Sequence, residues 1–448
     1  MEHLRLYPRY RRVTRRLAPS PRIVAGSPSR LARLLRSTAR ALDGRIRLLA
    51  DENTAAAAPE IVDAIAEGSV SILPGRPAVI PEIEIAQRVA REAADAGSSA
   101  IVVVGGGTLT DIAKYAAEQA DLELLCVPTA ASVDAYTSAR SALRIDGYHR
   151  TPASRVPSVI LASPSVVAEA PDALTLAGLG DLVAKMIARL DWQLGALMTD
   201  EAFSVREAEW CARVARHALM RLRREGLRHA AFPALDALLV TGRAMRVFGS
   251  SRPAASSEHT MAHLWEVVLD ADSADLRLVV DHPVPPAHFH GLLVARAAGY
   301  VVSAYRWILG RIVASAPAGS SAPGEAPHEF DRRWQESVPP DMQPFLAKMR
   351  EETTRAPLDA PTITERRSRL ATHRETIIAL ADRAITDAER GLDALSLAGI
   401  EDLLPQIPPH WVVRSLQWVR YLRGRYSMFN LAFEMGWEPE LLDFLDAT

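Results

Sequence analysis

Cysteine is scarce in this sequence: 448 residues contain only Cys126 and Cys211. Two cysteines without CxxC spacing exclude a disulfide framework and favour a reducing cytoplasm. Uncharged apolar runs of about 18 residues are also missing, so no membrane-spanning helix is predicted. The N-terminus lacks the apolar core of a signal peptide. We therefore expect a soluble, cytoplasmic protein.

An excess of either charge is missing as well. The chain has 52 Lys and Arg residues against 54 Asp and Glu residues, a formal net charge of −2. Such a balance gives no overall field that would attract nucleic acid or a membrane. The exception is a basic N-terminal arm over residues 1–20, which carries Arg5, Arg9, Arg11, Arg12, Arg15 and Arg16. The arm could bind an anionic partner, but we favour a solvated or subunit-packing extension.

Short apolar runs alternate with helical patterns up to about residue 165. Continuous apolar runs are typical of strands that are covered on both faces of a parallel sheet. Between them, residues 59–68 and 82–97 have helical patterns. This alternation predicts an α/β, Rossmann-like parallel-sheet domain over residues 21–165. The six predicted strands cover 23–26, 45–51, 69–75, 101–107, 122–129 and 156–163.

Strand patterns end at about residue 165, and long helical patterns follow, for example over 174–198 and 290–314. We therefore predict an all-α domain over 166–448. Residues 315–327 are rich in Pro, Gly and Ser, which predicts an exposed loop insertion near 315–345. Two domains suit a chain too long for one core, and the cleft between them is the expected ligand site.

A run of three glycines marks a candidate nucleotide site. Gly105, Gly106 and Gly107 follow a predicted strand and precede a predicted helix. Without Cβ atoms the backbone can approach a pyrophosphate, and the helix N-terminus attracts its charge. A tight turn is the alternative, because the run is not the GxGxxG fingerprint. Asp51 ends an earlier strand and could either bind an adenosine ribose, favouring NAD over NADP, or cap a helix.

Carboxylate and imidazole groups suggest a metal site in the helical half. His259 and His263 are four residues apart and share one helix face. With Asp181 and His290 they offer donors suited to Zn²⁺ or Fe²⁺. Spacing alone does not decide, because most histidines are structural or exposed. Other sets could be drawn from His217, His229, His282 and His288.

The order of the motifs is more specific than any one of them. The chain resembles the sn-glycerol-1-phosphate dehydrogenase branch of the iron-containing alcohol dehydrogenase and dehydroquinate synthase-like superfamily, over nearly its whole length. The matching motifs are ADENT at 50–54, GGGTLTDIAK at 105–114, PTAASVD at 128–134, GLGDLVAK at 178–185, DWQLG at 191–195, SSRPAASSEHTMAH at 250–263, HG at 290–291 and RGRYSMFNLAFEMG at 423–436.

The resemblance implies a dehydroquinate synthase-like fold, an NAD or NADP cofactor and one divalent metal, with zinc expected and iron or nickel as alternatives. It implies Asp181, His259 and His290 as metal ligands. Around the cofactor it implies Asp51, Gly105, Gly106, Gly107, Thr108, Asp111, Lys114, Thr129 and Ser132.

For catalysis the resemblance implies three side chains. His263, or alternatively a chain of water molecules, would relay a proton, and Asp134 would contact substrate. Lys185 stands where the wider superfamily has a fourth ligand histidine; it would either hold an anionic group or neutralise the metal-site carboxylate. Arg252 would meet a phosphate or form a structural ion pair.

The chain departs from the family pattern close to these residues. Val133 and Ala135 flank Asp134 where the family has His and Gly, and AASSEH replaces GSGSEH before the metal histidine. After HG the family has EQVG, whereas this chain has Leu292, Leu293, Val294 and Ala295. The expected ligands are kept, but polar groups near them are lost, which indicates an altered substrate environment.

The expected function is a metal-dependent NAD(P)H oxidoreductase that reduces a small phosphorylated ketone or aldehyde, dihydroxyacetone phosphate or a related compound. One alternative is a redox-neutral cyclase of the dehydroquinate synthase type. Another is a non-catalytic relative that keeps the fold. The expected partners are a small-molecule carbonyl substrate and a second copy of the chain, a homodimer, with no nucleic-acid or membrane partner.

Overall fold

The structure is a computed structural model, and it describes residues 20–42, 45–65, 69–75, 79–145, 148–270, 289–314 and 358–446. The basic arm up to residue 19, the predicted insertion near 315–345, and His282 and His288 lie outside the described residues. Predictions on these parts stay predictions.

A six-stranded parallel sheet forms the first half of the chain, in the order β1-β8-β5-β4-β2-β3. All six predicted strands are confirmed, with ends that differ by at most three residues. The α/β fold class is therefore confirmed. The strands are β1 (Arg22–Ala25), β2 (Ile46–Asp51), β3 (Val70–Leu73), β4 (Ala100–Gly105), β5 (Glu123–Pro128) and β8 (Val159–Ala162).

Apolar packing on both faces explains why these runs form central strands. In β4, Ile101 and Val103 belong to one hydrophobic cluster, whereas Val102 and Val104 belong to another on the opposite face. Alternate side chains of a strand point to opposite faces, so a strand covered on both sides is apolar throughout.

A two-stranded antiparallel hairpin was not predicted. It consists of β6 (Leu143–Ile145) and β7 (Tyr148–Arg150). Strands of three residues are too short to give a period-2 pattern that stands out from the surrounding sequence.

Helices cover the sheet, and the helix predicted over 82–97 is confirmed as α4. The helix predicted over 59–68 is wrong in length, because α3 is a single turn that ends at Val62. Ala58 at its N-cap offers no side-chain hydrogen bond, so little stabilises a longer helix there. These helices are α1 (Pro28–Ala41), α2 (Glu52–Ala57), α3 (Pro59–Val62), α4 (Ile83–Asp95), α5 (Gly107–Gln119) and α6 (Pro164–Ala168).

Helices alone make up the second half, since the described part of residues 166–446 contains no strand. The predicted helices over 174–198 and 290–314 are confirmed as α7 and α11. The helices are α7 (Asp172–Thr199), α8 (Val205–Glu225), α9 (Leu227–Phe248), α10 (Ser257–Asp270), α11 (His290–Ala314), α12 (Ala360–Leu397), α13 (Pro409–Leu422), α14 (Met428–Glu434) and α15 (Glu438–Asp446).

Helix α7 is the central helix of this half and is buried along nearly its whole length. It also contacts the loop that follows β5. At Gly178 a Cβ atom would lie 1.8 Å from the carbonyl oxygen of Ala131, so only glycine permits this approach. The contact joins the sheet to the helical half at the loop that carries Ser132 and Asp134.

Helix α11 is long and apolar enough to cross a membrane by length and composition. However, 67% of its most apolar window is buried inside the protein. It packs against α7, α10 and α12, and its Arg306 forms an ion pair with Glu389 of α12. This environment is that of the core helix of a helical domain.

Candidate metal centre and nucleotide-binding cleft

The carboxyl ends of the neighbouring strands β2 and β4 lie where the strand order of the sheet reverses. After β2 the chain adds β3 on one side, and after β4 it adds β5 and then β8 on the other. The register pairs Leu49 with Val103, which brings Asp51 level with Gly105 at the strand ends. Ligands of open parallel sheets bind at such switch points. The two halves of the predicted nucleotide site therefore lie side by side.

The glycine turn is explained partly by packing within the protein. A Cβ atom at Gly105 would lie 2.5 Å from Leu109, and one at Gly107 would lie 2.3 Å from Val133. At Gly106 the nearest neighbour would be Ser132 Oγ at 3.7 Å, so this position is open. Helix α5 begins here without a side-chain cap. Its free N–H groups therefore face the opening at Gly106 and suit an anion.

Thr108 and the loop residues Thr129 and Ser132 surround this opening. Thr108 is half-buried in the first turn of α5, while Thr129 and Ser132 are buried. The backbone N–H of Thr129 donates to the carbonyl of Gly105 at 3.2 Å, which joins the loop to the glycine turn. Cofactor binding by these three residues stays a prediction.

The other predicted cofactor residues bond mainly within the protein. Asp51 accepts a hydrogen bond from the Thr54 N–H at 2.7 Å, so it caps α2, the alternative left open above. Lys114 is fully buried, pairs with Asp111 at 3.0 Å and donates to the carbonyls of Ala135 and Arg140. The pair Asp111–Lys114 thus holds the loop after β5, and contact of either residue with a cofactor stays a prediction.

The three predicted metal ligands come together from three helices. Asp181 lies on α7, His259 on α10, and His290 is the first residue of α11. Their ligand atoms all lie within 4.8 Å of one another, and His259 Nε2 is 3.2 Å from Asp181 Oδ1. This arrangement of one carboxylate and two imidazoles is the kind of donor set that divalent transition metals prefer.

Each of the two imidazoles is oriented by a carboxylate. His259 donates from Nδ1 to Glu258 at 2.9 Å, and His290 donates from Nδ1 to Glu266 at 2.6 Å. With a proton held on Nδ1 by the carboxylate, Nε2 is the nitrogen that each ring can offer to a metal. Metal-binding histidines are commonly fixed by a carboxylate in this way. Sequence reasoning missed both carboxylates.

Glu266 in fact connects two histidines. Its other oxygen accepts from His263 Nδ1 at 2.8 Å, and the His263 and His290 rings stack at 4.8 Å. Burial alone would raise the pKa of Glu266, but the two imidazoles outweigh it and hold that pKa well below its usual value. His263, Glu266 and His290 also form a second donor set. The spacing of three residues on one helix was the signal that could have found Glu266.

Burial lowers the pKa of His263 to about 3, although Glu266 opposes this shift. The ring is therefore neutral at neutral pH. Its side chain is 25% exposed, so it reaches the solvent-accessible edge of the cluster.

Lys185 connects the metal donors to the loop after β5. Its ammonium group is fully buried and donates to Asp181 at 2.9 Å, to Asp134 at 2.8 Å and to the carbonyl of Ala254 at 3.1 Å. Burial alone would lower the pKa of Lys185, but Asp134 and Asp181 outweigh it and raise that pKa. All three ammonium protons thus have protein acceptors, which favours the neutralising role over the binding of an anion.

Arg252 forms a structural ion pair, and the predicted phosphate contact is not supported. Its guanidinium is buried and makes two hydrogen bonds of 2.7 Å to Glu201, with further bonds to the carbonyls of Asp191 and Tyr426. These acceptors use the donors that a phosphate would need.

Asp191 supports the beginning of α10. Its buried carboxylate accepts from Ser256 at 2.6 Å, from Tyr305 at 2.7 Å and from the Met428 N–H at 3.1 Å. Burial raises its pKa to about 6. The network ties α7, α10, α11 and the C-terminal segment together beside His259.

The leucines that replace polar family residues lie in the core. Leu292 and Leu293 are fully buried, and both belong to the large hydrophobic cluster that joins one face of the sheet to the helices. A carboxylate or amide at these positions would need buried hydrogen-bond partners. Directly after His290, this chain therefore has a buried apolar pair where the family pattern has polar residues.

Comparisons with known proteins show what the chain is similar to. The family model described as iron-containing alcohol dehydrogenase matches residues 22–171. Residues 22–171 are therefore similar to the iron-containing alcohol dehydrogenases. The glycerol-1-phosphate dehydrogenase [NAD(P)+] of Sulfurisphaera tokodaii is 32% identical over 237 residues, which cover 52% of this chain and 66% of that protein. The enzyme of the same name from Aeropyrum pernix is 36% identical over 195 residues, 42% of this chain and 53% of that protein.

Solved structures of iron-containing alcohol dehydrogenases share the fold. The protein from Thermococcus thioreducens has a TM-score of 0.54 at 14% identity, covering 96% of this chain and 99% of that one. The protein from Corynebacterium glutamicum has a TM-score of 0.52 at 15% identity, covering 94% and 96%. In sequence, the chain spans between about half and two thirds of the length of the curated relatives quoted above.

Proposed function

We propose that this relative of the iron-containing alcohol dehydrogenases is a metal-dependent NAD(P)H oxidoreductase. Its substrate is a small phosphorylated ketone or aldehyde, dihydroxyacetone phosphate or a related compound. One observation supports this most strongly: the donors of Asp181, His259 and His290 converge, and both imidazoles carry a carboxylate on Nδ1. The names of the curated relatives favour the same reaction.

The residues fit a divalent metal. Two imidazoles and one carboxylate satisfy the ligand chemistry of zinc, iron or nickel. The negative charge of the group is already partly balanced by Lys185 on Asp181. We infer that zinc is held here, with iron and nickel as alternatives.

The glycine turn fits a dinucleotide. The uncapped N-terminus of α5 and the open space at Gly106 would accept a pyrophosphate. Asp51 at the adjacent strand end favours the unphosphorylated ribose of NAD, because a carboxylate repels a 2′-phosphate. The loop from Ser132 to Asp134 runs from this turn to Lys185 and so joins the two sites.

When bound, the metal supplies Lewis-acid polarisation of a carbonyl oxygen, and the nicotinamide supplies hydride. The protein contributes position and proton transfer. His263 is neutral, is held by Glu266 and is partly exposed, so it can pass a proton between solvent and the substrate oxygen. Lys185 fixes Asp134 and Asp181 relative to each other.

The test is NADH oxidation by metal-replete protein, with dihydroxyacetone phosphate beside a panel of other small carbonyl compounds. Asp181→Ala is the blank, and Asp382→Ala, on the exposed face of α12, is the matched control. We expect turnover that is lost only in the blank. Binding of metal and NAD without net NADH consumption would contradict the reductase and favour a redox-neutral cyclase. The absence of bound metal would favour the non-catalytic relative. A homodimer stays part of the proposal.

A further inference from the structure

The cationic side chains near the metal donors are nearly all in use. Lys185 and Arg252 are bonded as described above. Arg425 donates to the carbonyl of Ala255 at 2.8 Å and to Ser251 Oγ at 2.6 Å. All three are held in place by internal hydrogen bonds.

Arg423 is the exception. It directly follows α13 and is half-buried, and it has no hydrogen bond or ion pair with any residue that the structure describes. Its charge nevertheless acts on His263, Glu258 and Glu266, the groups around the metal donors. Burial lowers the pKa of Arg423, which those two carboxylates only partly oppose. The guanidinium is therefore partly shielded from solvent and lies near these groups.

The nearby carboxylates are already committed to other groups. Glu266 accepts from His263 and His290 through its two oxygens. One oxygen of Glu258 accepts from the Ser256 N–H and from His259, both at 2.9 Å. These bonds orient the imidazoles, and a salt bridge from Arg423 would compete with them. A half-buried guanidinium without a protein acceptor keeps its donors for an anionic ligand, which would supply the acceptor.

The segment that carries Arg423 is held firmly. Besides Arg425, the carbonyl of Tyr426 accepts from Arg252 at 2.8 Å, and the Met428 N–H donates to Asp191. Ser427 and Asn430 form a capping box at the start of α14. Because its backbone is fixed by these bonds, Arg423 would lose little conformational freedom on binding a ligand.

We propose that Arg423 binds the anionic group, phosphate or carboxylate, of the carbonyl substrate. This inference rests on the proposed function for the position of the carbonyl, because it assumes that the substrate lies against Asp181, His259 and His290. Arg423 would then be the residue that distinguishes charged from uncharged ketones. The planar guanidinium can hold two oxygens of either anion with parallel hydrogen bonds.

The experiment is calorimetric binding of three ketones to metal-replete protein without reduced cofactor. Dihydroxyacetone phosphate carries a phosphate, hydroxypyruvate a carboxylate, and dihydroxyacetone neither. The variants are Arg423→Gln and Arg423→Lys, with the exposed Arg33→Gln of α1 as the matched control. Melting temperature and metal content verify that each variant is folded and loaded.

We expect Arg423→Gln to weaken binding of the anionic ketone by roughly ten- to a hundredfold, the usual contribution of a hydrogen bond to a charged group. Binding of dihydroxyacetone should not change, and Arg423→Lys should be intermediate. The anion that loses affinity identifies phosphate or carboxylate as the natural group. If Arg423→Gln does not fold, a selective loss in Arg423→Lys is the required result.

The proposal is overturned if charged and uncharged ketones lose affinity equally, if neither changes, or if the wild-type protein binds no anionic ketone. The binding assay does not depend on turnover. Selective binding through Arg423 without NADH oxidation would therefore contradict the proposed reductase alone.

Discussion

Replacement of Glu266 by glutamine removes the acceptor that two histidines share. Glutamine has the same shape, but it offers one carbonyl oxygen and one amide donor. The carboxylate accepts from His290 Nδ1 at 2.6 Å and from His263 Nδ1 at 2.8 Å. In the variant one of these imidazoles therefore faces an N–H group and must move its proton to Nε2; at His290 that proton blocks the metal bond, and at His263 the shared support of the two rings is lost.

The size of the effect follows from these two bonds. Loss of a partner that orients a metal ligand typically lowers metal affinity by about ten- to a hundredfold, or roughly 1.4 to 2.7 kcal/mol. Loss of a direct ligand should cost more. We therefore expect Glu266→Gln to weaken metal binding by this amount, and Asp181→Asn to weaken it further.

The assay is competition for metal between a chromophoric chelator and stripped protein. Glu389→Gln is the matched control, because that glutamate pairs with Arg306 at the α11–α12 contact. Unchanged metal affinity in folded Glu266→Gln would refute the orienting role. A loss as large as that of Asp181→Asn would instead identify Glu266 as a ligand, with His263 and His290 as the donor set.

Other predictions concern the glycine turn and the support of α10. Gly107→Ala should lower Tm, because its Cβ would meet Val133 at 2.3 Å, and adding Val133→Ala should restore most of the loss; a double variant no more stable than the single one would contradict this. Gly106→Ala should leave Tm nearly unchanged but lower the affinity for NAD, measured by fluorescence titration. An unchanged NAD affinity would exclude the pyrophosphate from this turn. Burial raises the pKa of Asp191 from 3.8 to about 6, so the folded state holds this proton more strongly and loses about 3 kcal/mol as pH rises between those values. Urea unfolding measures the free energy of unfolding at each pH. The difference in this free energy between wild type and Asp191→Asn should fall by that amount as pH rises, and a difference that does not change with pH would refute the prediction.

The sequence predicted what depends on local pattern and on ordered motifs. The six strands follow from continuous apolar runs, and the convergence of Asp181, His259 and His290 follows from a resemblance that spans the chain. The short hairpin β6–β7 had too few residues to give a pattern.

Partners that are distant in sequence could not be read in advance. Arg252 pairs with Glu201, 51 residues earlier, and only the packing of α7 against the loop before α10 brings them together. Acidic residues on helices are usually solvated, so Glu266 did not stand out although it lies one turn after His263. The glycines at Gly105 and Gly107 had a ligand-based explanation, whereas contacts with Leu109 and Val133 account for both.

The central claim is that Asp181, His259 and His290 hold the metal. Crystals of the metal-loaded protein, measured on both sides of the absorption edge of the bound metal, test it most directly. We predict one anomalous peak at about 2.0 to 2.2 Å from His259 Nε2, His290 Nε2 and the Asp181 carboxylate. A peak bound instead by His263 and Glu266, or fully loaded crystals with no peak among these residues, would contradict the account.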